Sequence, residues 1–349
     1  MVLAFTLVHC AAVGILLGKA LVSRGLRGIE ERRRERMGPQ IRRLLMDPGA
    51  GGQPQPALRR LYRTNRGAVE LCLAEFLQSL SGEGREQMTA LAVGLGVVKR
   101  WKRQARSSLR SKRRRAIERL SLLGGDAGRK CLLRALEDSD EVIRIQAARA
   151  LLLAGEAEGV EQVFEMAIRQ PLFRVLLAPG LQGHAELLCR EAIPKVLGSA
   201  DPERMRLALR MMEGWGRVLP GLEVGSVVRH PDPEVRAAAV RLLPYTGRRE
   251  NLPGEVQAAL EEGPETVRAA AAAVAGRMKL AALTPLLAGC LRGSSSAVAL
   301  AAAHALAGMG PQGRRLLSEA VLGGKHPGAG AALEALERAQ TGAAELAGA

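Results

Sequence analysis

A chain of 349 residues that is 47% apolar but only 2% aromatic can bury a large core, yet lacks the aromatic and β-branched side chains that a sandwich or mixed sheet favours. Its net charge of +16 is one-sided: residues 1–120 hold 25 Lys/Arg and 9 Asp/Glu, whereas residues 121–349 hold 26 of each sign. Five cysteines (Cys10, Cys72, Cys131, Cys189 and Cys290), odd in number and without a CxxC pair, argue against a disulfide framework or a zinc site and read as buried thiols.

The chain opens on a hydrophobic segment. From Val2 to Gly18 there are 17 residues without an Asp, Glu, Lys or Arg, and Lys19 can snorkel from its long stem. Residues 1–22 therefore read as a single transmembrane helix. A cleaved signal peptide would ask for a basic n-region and a small-x-small site, and neither is evident. Arg24, Arg27, Arg32, Arg33, Arg34 and Arg36 all follow the span, which predicts an inner-membrane anchor with the rest of the chain in the cytoplasm. Residues 23–56 read as a basic juxtamembrane helix, broken at Gly38-Pro39, and a Gly/Pro linker.

The densest charge comes next, in Lys99, Arg100, Trp101, Lys102, Arg103 and Arg106, then Arg110, Lys112, Arg113, Arg114 and Arg115. Lys99, Arg103, Arg106, Arg110 and Arg113 fall at helical spacing and are expected to share a face. Three readings stay open: a solvated face, an anionic membrane surface or membrane-protein partner with Trp101 at the interface, and a nucleic-acid contact. A neutral C-terminal array and a membrane tether speak against the last.

From about residue 112 onward a period takes over. Ile143-Arg144, Phe173-Arg174, Met205-Arg206, Val235-Arg236 and Val267-Arg268 place an apolar-Arg pair at intervals of 30, 32, 30 and 32, and Arg114 continues the ladder upstream. Each pair opens a short helix. In Asp232–Leu243, Asp232 is the N-cap, Pro233 suits the first turn, and Val235, Ala238, Ala239 and Leu242 make one apolar face. A second helix follows each break, for example after Gly155 or Gly276. Such a period marks stacked helix pairs, so residues 57–349 are expected to form an all-α solenoid of about eight pairs. The ladder arginines are expected to bond carbonyls or acids of neighbouring repeats.

Asp140-Glu141-Val142-Ile143-Arg144-Ile145-Gln146-Ala147-Ala148-Arg149-Ala150-Leu151 resembles the short HEAT-like repeats first described in phycobilin lyases. This likeness covers about residues 112–340 and implies an α-solenoid; it implies no particular activity. The order of span, Arg-rich segment, linker and repeats, with Trp101–Ser111 and Ile117–Leu120, is similar to bacterial membrane-anchored HEAT-repeat proteins. Members of that group are often encoded near exopolysaccharide glycosyltransferases, which implies a scaffold for a membrane polysaccharide-synthesis complex.

Catalytic constellations are not evident. His9, His184, His230, His304 and His326 form no HExxH, triad or His-Glu dipeptide, and there is no phosphate-binding glycine loop. His304, at helical spacing among alanines, reads as packed or partly buried. The expectation is a non-enzymatic scaffold without cofactor or metal, bound to protein partners. The alternatives are a nucleic-acid-binding HEAT-like protein using residues 99–119 and a lyase-type repeat protein.

Overall fold

The computed structural model describes residues 36–47, 54–123, 126–246, 251–293, 295–324 and 328–347, and among them all regular structure is helical. The predicted membrane span, residues 1–22, lies outside the described residues. Among the described residues no helix is long and apolar enough to cross a membrane. The chain divides into two compact units, one ending at Ala154 and the other beginning at Gly155.

The first unit contains α1 (residues 36–46), α2 (Pro56–Thr64), α3 (Arg66–Ser79), α4 (Gly82–Gly94), α5 (Val97–Gln104), α6 (Arg110–Leu120), α7 (Asp126–Ala135) and α8 (Glu141–Ala154). Consecutive helices from α2 onward pack against each other, and α6 also lies on α8. Contrary to the expected break, α1 runs through Gly38 and Pro39. Pro39 removes only one amide donor, and the apolar spacing of Ile41 and Leu45, both wholly buried, holds the following turns. The turn at Leu95-Gly96 separates α4 from α5, with Gly96 at φ +75°, a conformation that favours glycine.

The second unit begins with α9 (Ala157–Arg169), α10 (Pro171–Gly183), α11 (Ala185–Glu191), α12 (Ile193–Leu197) and α13 (Pro202–Gly214). Pro179 lies inside α10, and α11 and α12 are short, so the helix pairs here are less regular although the spacing of the arginines is kept. A regular stack follows: α14 (Pro233–Leu242), α15 (Leu252–Glu262), α16 (Glu265–Arg277), α17 (Thr284–Leu291), α18 (Ser296–Ala307), α19 (Gly310–Gly323) and α20 (Gly328–Ala347). The first helices pack in series, α14 on α16, α16 on α18 and α18 on α20, while α15 packs on α16 and α17 on α18.

Why these helices stack follows from their side chains. In α16 the buried set is Val267, Ala270, Ala271, Ala272, Val274 and Ala275, which fills more than one face with small groups. A helix wedged between two others needs such a girth, and alanine supplies it at the highest helix propensity. The start of α14 is fixed as expected: Asp232 Oδ1 accepts from the Glu234 and Val235 amides at 2.8 and 3.2 Å. Asp140 caps α8 in the same way, through the Val142 amide at 2.9 Å.

Candidate functional site

The basic stretch is two helices and a connecting loop. α5 ends at Gln104, residues 105–109 turn, and α6 starts at Arg110, so Lys99, Arg103, Arg106, Arg110 and Arg113 do not share one helix face. The correction has a local cause: Ser107-Ser108 offers side-chain hydroxyls to the backbone, and the Ser107 hydroxyl accepts from the Leu109 amide at 3.3 Å. Lys99, Arg103, Arg106, Arg110, Lys112, Arg114 and Arg115 are exposed, Lys102 is half-buried, and Arg100 and Arg113 are partly covered.

Trp101 does not lie at a surface. It is 0% exposed, sharing the inner face of α5 with Val97 and Val98. Its indole N–H donates to Glu70 Oε2 at 3.0 Å. Glu70, itself 2% exposed on α3, also accepts from Arg119 at 2.6 Å and Tyr62 at 3.2 Å, and pairs with Arg100 at 3.3 Å. The Arg119 guanidinium stands 5.7 Å from the Trp101 ring centre. Burial, and then the neighbouring Glu70 carboxylate, raises the pKa of Tyr62 and keeps it a hydroxyl donor. One carboxylate thus joins α2, α3, α5 and α6. A trace of it exists in the sequence: Glu70 stands at helical spacing with Leu73 and Leu77, on the apolar side of α3.

The arginine ladder has a common geometry. Arg144 donates to the Asp138 and Ser139 carbonyls at 2.9 and 3.4 Å, and Arg236 to the His230 and Pro231 carbonyls at 2.6 and 2.9 Å. Arg174 reaches the Ile168 carbonyl at 3.0 Å, in the last turn of α9. Arg268 reaches the Leu260 carbonyl at 3.1 Å, near the end of α15. Arg174 and Arg268 thus close carbonyls at the end of the preceding helix, where a cation is favoured, whereas Arg144 and Arg236 hold the loop that leads into their own helix. Arg206 departs, pairing with Glu203 in its own first turn.

Upstream, the ladder position belongs to Arg113 and not to Arg114. Arg113 donates to the Ser107 and Ser108 carbonyls, both at 3.1 Å, and holds Asp138 through two bonds of 2.8 and 2.9 Å. The packing sets this register, since Ala116, Ile117 and Leu120 are the buried side chains of α6 and Arg114 is left exposed. Replacing Arg236 by methionine is expected to lower stability by about 1–3 kcal/mol, because two carbonyls lose a charged donor; Arg114→Met should change it by less than about 0.5 kcal/mol. Equal midpoints in urea unfolding for the two variants would contradict this assignment.

The second unit has a cleft of about 610 Å³ between the 225–229 turn, α14, α15 and the start of α16. Its wall is mixed: Val228, Val240 and Val267 are apolar, whereas Arg229, Arg236, Glu255 and Glu262 supply both charges. Gly263 lets the α15–α16 turn close, since a Cβ there would meet the Ala259 carbonyl at 2.5 Å.

Among the described residues no three His, Cys, Asp or Glu side chains gather as a metal site. His230 Nδ1 accepts from the Asp232 amide at 3.1 Å. His304 is exposed rather than packed, with Nε2 at 3.3 Å from Arg338 Nη1, because its position on α18 turns away from the buried Ala302, Ala303 and Ala305. Cys72, Cys131, Cys189 and Cys290 are buried, and burial pushes the pKa of the Cys189 thiol up to about 11.

The HEAT repeats family matches residues 223–307, the stretch that contains the cleft. No curated protein matches the sequence. Among solved structures the chain is similar to YibA of Escherichia coli, at 13% identity, 80% of this chain, 96% of that chain and a TM-score of 0.33. It is also similar to the karyopherin Kap121p, at 12% identity, 80% of this chain, 42% of that chain and a TM-score of 0.38. Kap121p bound to the extreme C-terminus of the protein phosphatase Cdc14p matches at 10% identity over 80% of this chain and 47% of that chain, with a TM-score of 0.33. The chain spans less than half the length of Kap121p.

Proposed function

We propose that this protein is a non-enzymatic scaffold that holds a protein partner through its HEAT-type helix pairs. The observation that carries the reading is the cleft at residues 225–267, which lies inside the HEAT-matched stretch and sets opposite charges on an apolar wall. A site of that make-up suits a peptide or helix edge, with its own mixed polar and apolar groups. Glu255 and Arg229 are exposed and open to a partner. The finer parts of the proposal rest on sequence alone: an anchor at residues 1–22, a cytoplasmic array, and a membrane glycosyltransferase of polysaccharide synthesis as partner. The one-sided arginine flank and the resemblance to membrane-anchored HEAT-repeat proteins support them.

The test is crosslinked capture from membranes, comparing the unsubstituted chain with Ala258→Trp, which fills the cleft from an exposed position. The expected result is recovery of one integral membrane protein, lost in the variant while its helical circular dichroism is unchanged. Equal recovery by both proteins, or no specific partner with either, would overturn the reading.

A further inference from the structure

We infer that the basic surface of the first unit docks on an anionic lipid bilayer, with the loop before α6 entering the headgroup region. Residues 99–115 contain ten Lys/Arg and no Asp or Glu. The carboxylates that approach them are used internally: Glu70 is buried against Arg100 and Arg119, Asp138 is held by Arg113, and Asp140 pairs with Arg110. Lys99, Arg103, Arg106 and Arg114 remain exposed, with no ion-pair partner among the described residues. A patch left with this excess attracts a surface of negative charge within a Debye length.

Leu109 decides which kind of surface. It is 54% exposed, extended in backbone, and stands in the sequence between the exposed Arg106 and Arg110, at the end of the loop where α6 begins. An exposed apolar side chain flanked along the chain by cations matches the depth profile of a bilayer, with phosphates outside and acyl carbon just beneath. A nucleic acid would use the cations but give Leu109 no partner. It would also ask for an exposed ring to stack a base, and Trp101 is buried with its N–H committed to Glu70. This inference concerns the first unit and does not depend on the scaffold reading of the cleft in the second.

The experiment uses the full chain with Cys10→Ser and Ser108→Cys, carrying an environment-sensitive fluorophore on the new thiol. The other four cysteines are buried, so labelling is confined to the loop. Phosphatidylcholine vesicles are compared with vesicles that also contain phosphatidylglycerol. An N-terminal anchor would bring the protein to both, whereas loop docking should blue-shift the emission only on the anionic vesicles. Combining Lys99→Gln, Arg103→Gln, Arg106→Gln and Arg114→Gln should lower the docking constant by on the order of 100-fold or more, from about fivefold per charge. Leu109→Ser should lower it roughly tenfold, and added salt should weaken it further. An absent shift on anionic vesicles, an equal shift on both kinds, or a shift that survives the four substitutions would overturn the proposal. A response to duplex DNA without one to vesicles would reassign the surface to nucleic acid.

Discussion

Replacing Glu70 by alanine is expected to cost the first unit about 3 kcal/mol, the low end of the range for breaking a buried ion pair. Three consequences add up. The Trp101 indole N–H is left without its acceptor in a wholly buried position, which by itself costs about 1–3 kcal/mol. Arg119 and Arg100 lose their counter-charge, but their side chains are 18% and 31% exposed, so water recovers part of that loss. Tyr62 loses an acceptor in a half-buried site. Glu70→Gln should cost less, roughly 1–2 kcal/mol, since an amide oxygen still accepts one of the four donors. Urea unfolding of the full chain followed by tryptophan fluorescence would measure both. A Trp215→Phe background isolates Trp101, and it removes no hydrogen bond of the indole nitrogen among the described residues. Alanine and glutamine variants that unfold at the unsubstituted midpoint would show that this carboxylate does not join the four helices.

The same residue marks where sequence reading stops. The stack from α14 to α20 is legible because its signals are local: Asp232 and Pro233 start α14, alanines recur on its inner side, and Val267-Arg268 repeats the pattern one period later. The Glu70–Trp101 bond joins residues 31 apart with no period between them, so Trp101 among ten cations reads as a surface residue. Arg113 and Arg114 are indistinguishable in a run of arginines. The apolar residue that precedes Arg144 and Arg236 is replaced by Lys112 in α6, and only the burial of Ala116, Ile117 and Leu120 fixes the register. The cleft was not legible either, since its wall comes from a turn and three helices whose individual patterns all serve stacking.

The small residues of the stack lead to a second large effect, opposite in sign to the usual one. A glycine inside a helix normally gives up about 0.8–1 kcal/mol relative to alanine, so Gly→Ala there is stabilising. Gly276 in α16 should behave otherwise. A Cβ on it would lie 2.6 Å from the Ala305 Cα and 2.7 Å from the Ala305 Cβ of α18, and neither atom can swing aside. Gly276→Ala must push α18 away from α16 or distort one of them, at an expected cost of about 2–3 kcal/mol. Gly289 in α17 is the internal control, for a Cβ there meets nothing within 4 Å, and Gly289→Ala should stabilise by up to about 1 kcal/mol. Ala305→Gly combined with Gly276→Ala removes the Cβ–Cβ contact but leaves the one with the Ala305 Cα, so it should recover part of the loss, giving a coupling between the two sites of roughly 1 kcal/mol. Urea midpoints for the two single glycine variants and the double variant carry the test. If Gly276→Ala stabilises as much as Gly289→Ala, close approach at Gly276 does not set the spacing of α16 and α18; if the double variant recovers nothing, the strain lies against the α18 backbone and not between the two Cβ groups.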